Sequence, residues 1–249
     1  MADFEAQVNG LTGLSISATS TGPTDDELDQ YLRDGVMDVT NKWLLVNPRE
    51  AMFFQRESAN QTSNGVLGYI GRSNIISVIR EANAANDWRN CVYIPPALQS
   101  RVTDPSSLYF ASIYHPVYTI GSDGAISVFP APDSGGVNDF KVQYINNIPT
   151  DDSDNNLAHS ANAIKYFPNA LIPLVVKYAA IKCLEAKISS FTIDDEDSEL
   201  VSSLSNSYNA LKADYDQMFG LQAQKSMESA NVGTGQEQMQ VPSNQGEEE

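Results

Sequence analysis

The sequence predicts an α+β fold in which helices from both ends of the chain form a bundle and the middle forms an inserted β-rich region. Two observations support this prediction. Apolar side chains recur about every 3.6 residues near both ends of the chain, as they do in amphipathic helices. Between residues 66 and 147, short β-branched and aromatic runs alternate with Gly, Pro, Asn and Asp, a spacing typical of an antiparallel sandwich or barrel.

The first predicted helix has clear start and stop signals. Thr24 followed by Glu27 predicts a capping box, and Asp25 and Asp26 suit the positive end of the helix. Pro48 ends the helix, because the residue before a proline avoids the α region. The predicted buried stripe consists of apolar side chains at helical spacing: Leu28, Tyr31, Leu32, Val36, Val39 and Trp43.

The predicted strands are seven short runs: "VLGYI", "NIISVIRE", "NCVYI", "SLYFA", "PVYTI", "ISVFP" and "FKVQYIN". The clearest hairpin is "PVYTIGSDGAISVFPAP", in which "GSDG" supplies the residues that a tight turn needs. The segment "REAMFFQRESANQTSNG", which precedes this region, is compatible with either a short helix or a loop.

Two helices are predicted after the β-rich region. In "FPNALIPLVVKYAAIKCLEAKISSF", the polar residues Lys177, Lys182 and Glu185 span an arc of only about 140°, so the helix must be covered on several sides. The acidic run "DDED" then opens a last helix, because carboxylates suit a helix N-terminus. Its apolar seam is narrow and typical of an antiparallel helix pair: Leu200, Leu204, Tyr208, Leu211, Tyr215 and Phe219.

These elements predict five segments along the chain. Residues 1–23 are rich in Gly, Ser and Thr and read as a flexible N-terminal arm, and residues 220–249 read as an extended polar tail that is disordered by composition. Residues 24–62 and 163–219 form the predicted helical bundle. Residues 63–162 form the predicted inserted β-rich domain.

The charge and the cysteines exclude several classes of function. The chain has 15 basic and 32 acidic residues and a net charge of −17, which disfavours binding to the outside of nucleic acid and to anionic membranes. The N-terminus lacks the pattern of a signal peptide, and the longest apolar run is too short for a membrane span. We therefore expect a reducing, aqueous compartment, with Cys183 a buried free thiol and Cys91 outside any disulfide framework.

Catalytic motifs are missing from the sequence. It contains no phosphate-cradling glycine loop, no strand–GxGxxG–helix and no GxSxG elbow. His115 is predicted to be a structural histidine, and His159 a solvated histidine in a polar loop. The sequence therefore predicts that the protein is not an enzyme and has no cofactor.

One polar segment resembles a calcium-binding loop only superficially. Asp152, Asp154 and Asn156 alternate as ligands would, but Leu157 replaces the required glycine and Ala163 replaces the bidentate glutamate. We therefore predict no metal site in this segment.

An aromatic run in the β-rich region has two interpretations. The favoured one places Tyr109, Phe110, Tyr114 and Tyr118 in strand cores, where aromatic side chains pair across strands. The alternative places these rings on an exposed surface that binds glycans or a partner protein.

Four stretches together are similar to one family of virion proteins. They are "DELDQYLRDGVMDVTNKWL", "CVYIPPALQSRVTDPSSLYFASIYHPVYTIGSDGAISVFPAP", "VQYINNIP" and "IKYFPNALIPLVVKYAAIKCLEAKI". Over most of residues 25–219 the chain resembles the head-to-tail adaptor, or connector, proteins of tailed bacteriophages. The resemblance implies a helix bundle with a β-rich insertion, assembled as a ring, usually of twelve copies. The ring docks under the portal and continues the DNA channel toward the tail, without enzyme activity or a cofactor.

The resemblance also implies partners and a location. The partners are further copies of the chain, the portal protein and a tail or nozzle protein, and the location is the head–tail junction of a virion made in the host cytoplasm. DNA would pass through the channel without specific binding, because an acidic chain offers few cations to phosphates. No membrane is implied. Two alternatives stay open: another tail structural protein, such as a tail-tube or tail-completion protein, and a glycan-binding module in the β-rich domain.

Two contact surfaces are predicted on this basis. The predicted portal contact begins at Gly220, by similarity to adaptors whose C-terminal ends grip the portal, and comprises Gly220, Leu221, Met227, Val232, Met239 and Val241. The predicted subunit packing uses an outward apolar face of the helix after the β-rich region, comprising Leu171, Leu174, Val175 and Tyr178.

Overall fold

The chain divides into two compact units. The computed structural model describes residues 2–70, 74–84, 86–133, 138–146, 148–193 and 198–234, and of residues 192, 193 and 227–234 it describes the backbone alone. Among these, the helical unit comprises residues within Met1–Pro48, Ala158–Ser160 and Pro173–Glu249, and the β-rich unit comprises residues within Arg49–Leu157 and Ala161–Ile172. The fold is mixed α+β, as the sequence predicts at that level.

The described helices and strands follow in this order. The helices are α1 (Phe4–Thr12), α2 (Asp25–Val46), α3 (Gln99–Thr103), α4 (Ile172–Ile193) and α5 (Ser198–Thr234). The strands are β1 (Gln55–Glu57), β2 (Ile75–Glu81), β3 (Trp88–Asn90), β4 (Val92–Tyr93), β5 (Val117–Ile120), β6 (Ile126–Phe129) and β7 (Phe140–Ile145). Short 3₁₀ turns cover Pro48–Phe54, Pro96–Leu98 and Asn169–Leu171.

Helix α2 confirms the prediction made from its start signal and its periodicity. The Glu27 carboxylate accepts from the Thr24 backbone N–H at 2.8 Å, and the Thr24 hydroxyl oxygen accepts from the Glu27 N–H at 3.4 Å, which completes the capping box. The predicted stripe is buried, with Tyr31 half-buried. The helix ends at Val46, two residues before Pro48.

Helix α4 is covered on nearly its whole circumference by its own chain. Among its residues with described side chains, only Pro173, Glu185 and Ser189 are exposed. On the side of α2 the approach is close, because a Cβ placed on Gly35 would lie 3.0 Å from the Tyr178 ring. A helix that is apolar on most sides can therefore satisfy its apolar surface within one chain.

Helix α5 lies against α2 and α4 through a narrow seam. The Tyr215 hydroxyl donates to Asp38 Oδ2 on α2 at 3.1 Å, and the Lys177 ammonium on α4 lies 2.6 Å from Asp214 Oδ2. Of the predicted seam, Tyr215 is buried, Leu204, Tyr208, Leu211 and Phe219 are half-buried, and Leu200 is exposed. The helices α2, α4 and α5 thus pack together inside the helical unit.

Part of the predicted N-terminal arm is a helix. The Asp3 carboxylate caps α1 by accepting from the Ala6 N–H at 2.9 Å, and Phe4 and Val8 are completely buried. The prediction of a flexible arm was therefore wrong for Phe4–Thr12. The prediction rested on the average composition of 23 residues, which did not take account of Phe4 and Val8, two apolar side chains spaced one helical turn apart.

The predicted extended tail is also helical over its first half. Helix α5 continues without a break from Ser198 to Thr234, past Gly220 where the tail was expected to begin. Ala, Gln, Lys, Met and Glu predominate after Gly220, and these residues favour helix even where they bury little apolar surface. Residues 235–249 and the acidic run at 194–197 lie outside the described residues.

The described strands of the β-rich unit form two sheets. One has the strand order β1-β7-β2-β3 and is antiparallel throughout, with Val78 opposite Val142. The other has the order β4-β5-β6, in which β5 and β6 form the predicted hairpin and β4 pairs with β5 in parallel. Side chains from both sheets share one buried core: Ile70, Val78, Cys91, Ile126, Val128, Phe140, Val142 and Tyr144.

Turn chemistry overrides β propensity at two predicted strands. "VLGYI" is a turn in which Leu67 has a left-handed φ of 59°. "SLYFA" follows an Asx turn, in which the Asp104 carboxylate accepts from the Ser106 N–H at 2.9 Å, and it forms no strand. The segment that was compatible with helix or loop is a 3₁₀ turn followed by β1.

Candidate functional site

A loop of the β-rich unit presents large apolar side chains to solvent. This aromatic loop, residues 104–116, exposes Leu108 completely, and the exposed fractions of Tyr109, Phe110 and Tyr114 are 60%, 47% and 62%. The favoured prediction, that these rings lie in strand cores, was wrong for all three. The fourth ring of that prediction, Tyr118 on β5, is half-buried.

The backbone of the aromatic loop is anchored behind the exposed rings. The Ala111 N–H donates to the Val102 carbonyl oxygen at 3.0 Å, and both side chains are buried. Phe129 completes that small apolar cluster, with Ile94 and Val117 packed against it. The loop therefore has an inner side fixed by packing and an outer side that carries free aromatic surface.

Two guanidinium groups lie beside these rings. Arg101 lies 5.9 Å from the centroid of the Tyr109 ring, and Arg89 lies 5.9 Å from the centroid of the Tyr114 ring. Tyr93 on β4 is also half-exposed and makes an edge-to-face contact with Tyr118 at 5.5 Å. Aromatic and arginine side chains are the types enriched where proteins bind partners, and exposed rings also stack on sugars.

A second candidate site, which is polar, lies in the helical unit around His159. Asp29 on α2 accepts from the His159 backbone N–H and also lies 2.9 Å from His159 Nδ1. The other ring nitrogen, Nε2, lies 4.0 Å from Asp25 Oδ2 in the first turn of α2. One ligand atom each from Glu5, Asp25 and His159 falls within 4.8 Å of the others.

The carboxylates around His159 control its protonation. Burial lowers the pKa of the imidazole, but the hydrogen bond and charge of Asp29, with the charges of Asp25 and Glu5, raise the pKa above its ordinary value. The predicted solvated histidine is in fact 27% exposed and held by partners. Asp29 lies 130 residues away in sequence, so no local pattern could have revealed this pairing.

The predicted subunit-packing face lies mostly inside the chain. Leu171, Leu174 and Val175 are at most 2% exposed, and Tyr178 is half-buried beside Gly35. The prediction of an outward apolar face was therefore wrong for the first three residues. Their burial within the chain leaves these three side chains no surface for a neighbouring subunit.

The predicted portal-contact residues are placed only in part. Gly220 and Leu221 lie on an exposed part of α5. Met227 and Val232 fall within α5, where only the backbone is described, and Met239 and Val241 lie outside the described residues. Their contact with a portal stays a prediction.

The segment that resembled a calcium loop is held by its own hydrogen bonds and by a lysine. The Asp151 carboxylate accepts from the backbone N–H groups of Ser153 and Asn155, and Asp154 pairs with Lys165 at 2.6 Å. The Lys165 ammonium thus occupies the place where a cation would meet Asp154.

The cysteines and the second histidine have ordinary environments. Cys91 and Cys183 are buried free thiols, and burial raises the pKa of each to about 12, so both stay protonated at neutral pH. Cys183 confirms its prediction. His115 is exposed, against the expectation of a structural histidine.

Neither the protein-family models nor the curated proteins gave a match to this chain. Within the described residues, the helices lack the combination of length and apolarity that crossing a bilayer requires.

Proposed function

We propose that the protein is a structural virion protein, a ring-forming head-to-tail adaptor that docks on the portal and extends the DNA channel toward the tail. The chain order supports this proposal. The helical unit draws its main segments from before residue 49 and after residue 172, so the β-rich unit is an insertion in the sequence of the helical one. A bundle carrying a β-rich insertion is the plan that the resemblance to adaptors implies.

The observation that carries the proposal is the exposed aromatic loop. A strongly charged chain that leaves Leu108, Tyr109 and Phe110 in water has an apolar patch that a partner protein can cover. In a closed ring, each copy presents one surface to the copy before it and another to the copy after it. We propose the aromatic loop as the apolar part of the contact between neighbouring copies in the ring.

The charge of the chain suits the same role. With 15 basic and 32 acidic residues, few cations are available to hold phosphates. DNA that passes through a ring of such chains would slide without specific binding. The exposed length of α5 around Leu221 supports the portal-side contact, since a long exposed helix offers surface to a second partner.

The test is the mass of the assembled species, measured by light scattering or mass photometry with the protein alone and with purified portal. We expect a species of about twelve times the chain mass of 27.2 kDa, alone or on the portal. A monomer under both conditions would overturn the proposal. The double variant Tyr109→Ser, Phe110→Ser should shift the distribution to monomers. The matched control is Tyr69→Ser, an exposed tyrosine outside the loop.

A second candidate function uses the same rings to bind glycans. The exposure of Tyr109, Phe110 and Tyr114 favours it, because stacking on a sugar needs accessible ring faces. Titration with host surface glycans separates the two. Saturable glycan binding that the double variant abolishes, with unchanged assembly, would favour the glycan-binding module. Loss of assembly without glycan binding favours the adaptor.

A further inference from the structure

We propose that Glu5, Asp25 and His159 bind a divalent transition-metal ion, with Zn²⁺ the best-suited ion, and that this ion ties α1 to the start of α2. The three side chains come from three separate segments of the helical unit: α1, the first turn of α2, and the short segment Ala158–Ser160. Their ligand atoms lie within 4.8 Å of one another.

The histidine is oriented as a metal ligand would be. Asp29 lies 2.9 Å from Nδ1, so Nδ1–H donates to the Asp29 carboxylate, and the lone pair of Nε2 on the side of Asp25 is left to bind a metal. A carboxylate on the far nitrogen of a ligating histidine is the common outer-shell arrangement in zinc sites. The same Asp29 oxygen accepts from the His159 N–H, so backbone and ring are fixed together.

Asp25 provides a second, independent observation. Its Oδ1 atom is buried and has no hydrogen-bond partner among the described residues. A buried acceptor without a partner is unfavourable and is rare in native proteins. Asp25 Oδ2 faces His159 Nε2 at 4.0 Å, so a cation bound by both oxygens of the Asp25 carboxylate would also satisfy Oδ1.

The charges in the cluster also call for a cation. Glu5, Asp25 and Asp29 carry three negative charges, and Arg33, 3.6 Å from Asp29, supplies one positive charge. An ion that binds Nε2 displaces any proton there and leaves His159 neutral, so two negative charges remain among these groups, which one divalent ion balances. Imidazole together with carboxylates selects a transition metal such as Zn²⁺ over Mg²⁺ or Ca²⁺, which prefer oxygen ligands alone.

The geometry needs only side-chain movement. Metal–ligand bonds of about 2.0 Å in a tetrahedron place ligand atoms roughly 3.3 Å apart, so the present separations must close by up to about 1.5 Å. The backbones of the segments that carry Glu5 and His159 are already held together, because the Glu5 N–H donates to the His159 carbonyl oxygen at 3.0 Å. His159 and Asp25 are 27% and 21% exposed, which leaves room for a water as fourth ligand.

The experiment uses untagged full-length protein stripped with a chelator, since a histidine tag would itself bind zinc. Zn²⁺ is titrated in competition with a chromophoric chelator, and Co²⁺ replaces Zn²⁺ for absorption spectroscopy. We expect one tight equivalent and the visible bands of a tetrahedral cobalt site. His159→Gln should weaken affinity at least about 100-fold, and Asp29→Asn, which removes a positioning residue, about 10- to 100-fold.

Two matched variants separate ligands from bystanders. Glu5→Gln should weaken binding about 10-fold or more and change the cobalt spectrum, whereas His115→Gln, in the exposed histidine, should leave both unchanged. The proposal fails if the wild-type protein binds no stoichiometric zinc. It also fails if His159→Gln or Glu5→Gln binds as tightly as wild type, or if His115→Gln loses the site.

A folding defect in His159→Gln would not leave the question open. Circular dichroism reports helix content for each variant, and X-ray absorption of the zinc-loaded wild type reports the ligands directly. One imidazole with oxygen ligands supports the site; sulfur ligands, or no imidazole, overturn it. Zinc should also raise the melting temperature of the wild type but not of His159→Gln. None of these measurements depends on ring assembly.

Discussion

Helices α4 and α5 lie side by side in the helical unit but are buried to very different extents. Of the α4 side chains that the structure describes, only Pro173, Glu185 and Ser189 are exposed. Among the described side chains of α5, only Tyr215 and Ala223 are buried, although α5 is 37 residues long. Of these two helices, α4 therefore supplies the larger part of the core, and α5 contributes a seam.

This difference shows which helix has surface left for partners. The apolar pattern of α4 had indicated a helix that needs a neighbouring subunit, yet Leu174 and Val175 are completely buried within the chain. Helix α5 is the more polar of the two, and it is the one that keeps Leu200 and Leu221 in water. The apolar residues of a helix indicate how much of its surface must be buried. They do not indicate whether the same chain or a neighbouring subunit covers that surface.

Truncating the α4 core should have the largest effect. Leu174→Ala removes a completely buried side chain and should lower the free energy of unfolding by about 2–5 kcal/mol, because it leaves a cavity as well as losing apolar contact. Denaturant unfolding, followed by circular dichroism, measures this loss in the free energy of unfolding. The control Leu221→Ala on α5 should change stability by no more than about 0.5 kcal/mol. Equal effects would contradict the contrast between the helices.

Adding a side chain at the contact between α2 and α4 should come next. A Cβ on Gly35 would lie 3.3 Å from Val175 Cγ1 and 3.0 Å from the Tyr178 ring, so Gly35→Val should destabilise by about 1–3 kcal/mol through overpacking. Gly220→Val on α5 is the matched control. Nothing lies within 4 Å of its Cβ, and helix propensity makes the change neutral or slightly stabilising. A tolerated Gly35→Val would mean that the two helices are not closely packed there.

The hydrogen bond from Tyr215 tests how much the α5 seam contributes. Tyr215→Phe removes the donor to Asp38 and should lower the free energy of unfolding by about 1–2 kcal/mol. Tyr208→Phe, in the half-buried tyrosine of the same seam, should cost under about 0.5 kcal/mol. The same denaturant titrations compare the two, and a larger loss in Tyr208→Phe would show that the seam is centred elsewhere.

The same tyrosine gives the seam a dependence on alkaline pH. Burial first, and then the charge and hydrogen bond of Asp38, raise the pKa of Tyr215 above its ordinary value of 10.0. The unfolded chain releases this proton more readily, so the contribution of Tyr215 is complete below pH 10 and is lost as pH rises above it. Stability measured from pH 8 to 11 should therefore fall less steeply in Tyr215→Phe than in wild type. Parallel curves would contradict the burial of this hydroxyl.

The ion pair between α4 and α5 should have the smallest effect. Lys177 lies 2.6 Å from Asp214, but the Asp214 side chain is 56% exposed, so Asp214→Asn should change stability by less than about 1 kcal/mol. The difference should shrink further in 1 M salt, because exposed charges are screened. Asp216→Asn, at an exposed position one residue beyond Tyr215, is the control. A loss above 2 kcal/mol would show that the pair is more deeply enclosed than its exposure indicates.

Local signals predicted the elements whose determinants lie close together in the chain. Thr24 and Glu27 are three residues apart and cap α2, and the turn "GSDG" joins β5 to β6 as expected. The predictions of secondary structure were wrong in two situations: where the composition of a long segment masked a short helix, and where a turn signal was stronger than β propensity. Composition concealed α1, and β propensity in "SLYFA" yielded to the turn begun by Asp104.

The candidate sites were much less predictable than the elements. The sequence pointed to the aromatic run but placed Tyr109, Phe110 and Tyr114 in a core, since ring-rich segments are more often buried. It gave no sign of the His159 cluster, whose members Glu5, Asp25 and His159 are scattered over the chain. The cluster has no spacing motif, because its members lie on three separate segments of the chain.

The amino-acid order alone settled that α2, α4 and α5 are helices and that the middle of the chain forms sheets, because capping, turn residues and hydrophobic period act over a few residues. Tertiary packing settled three other matters: the burial of α4 within its own chain, the outward position of the aromatic loop, and the meeting of His159 with Asp29. These depend on contacts between residues far apart in the chain, whose energies no local pattern encodes.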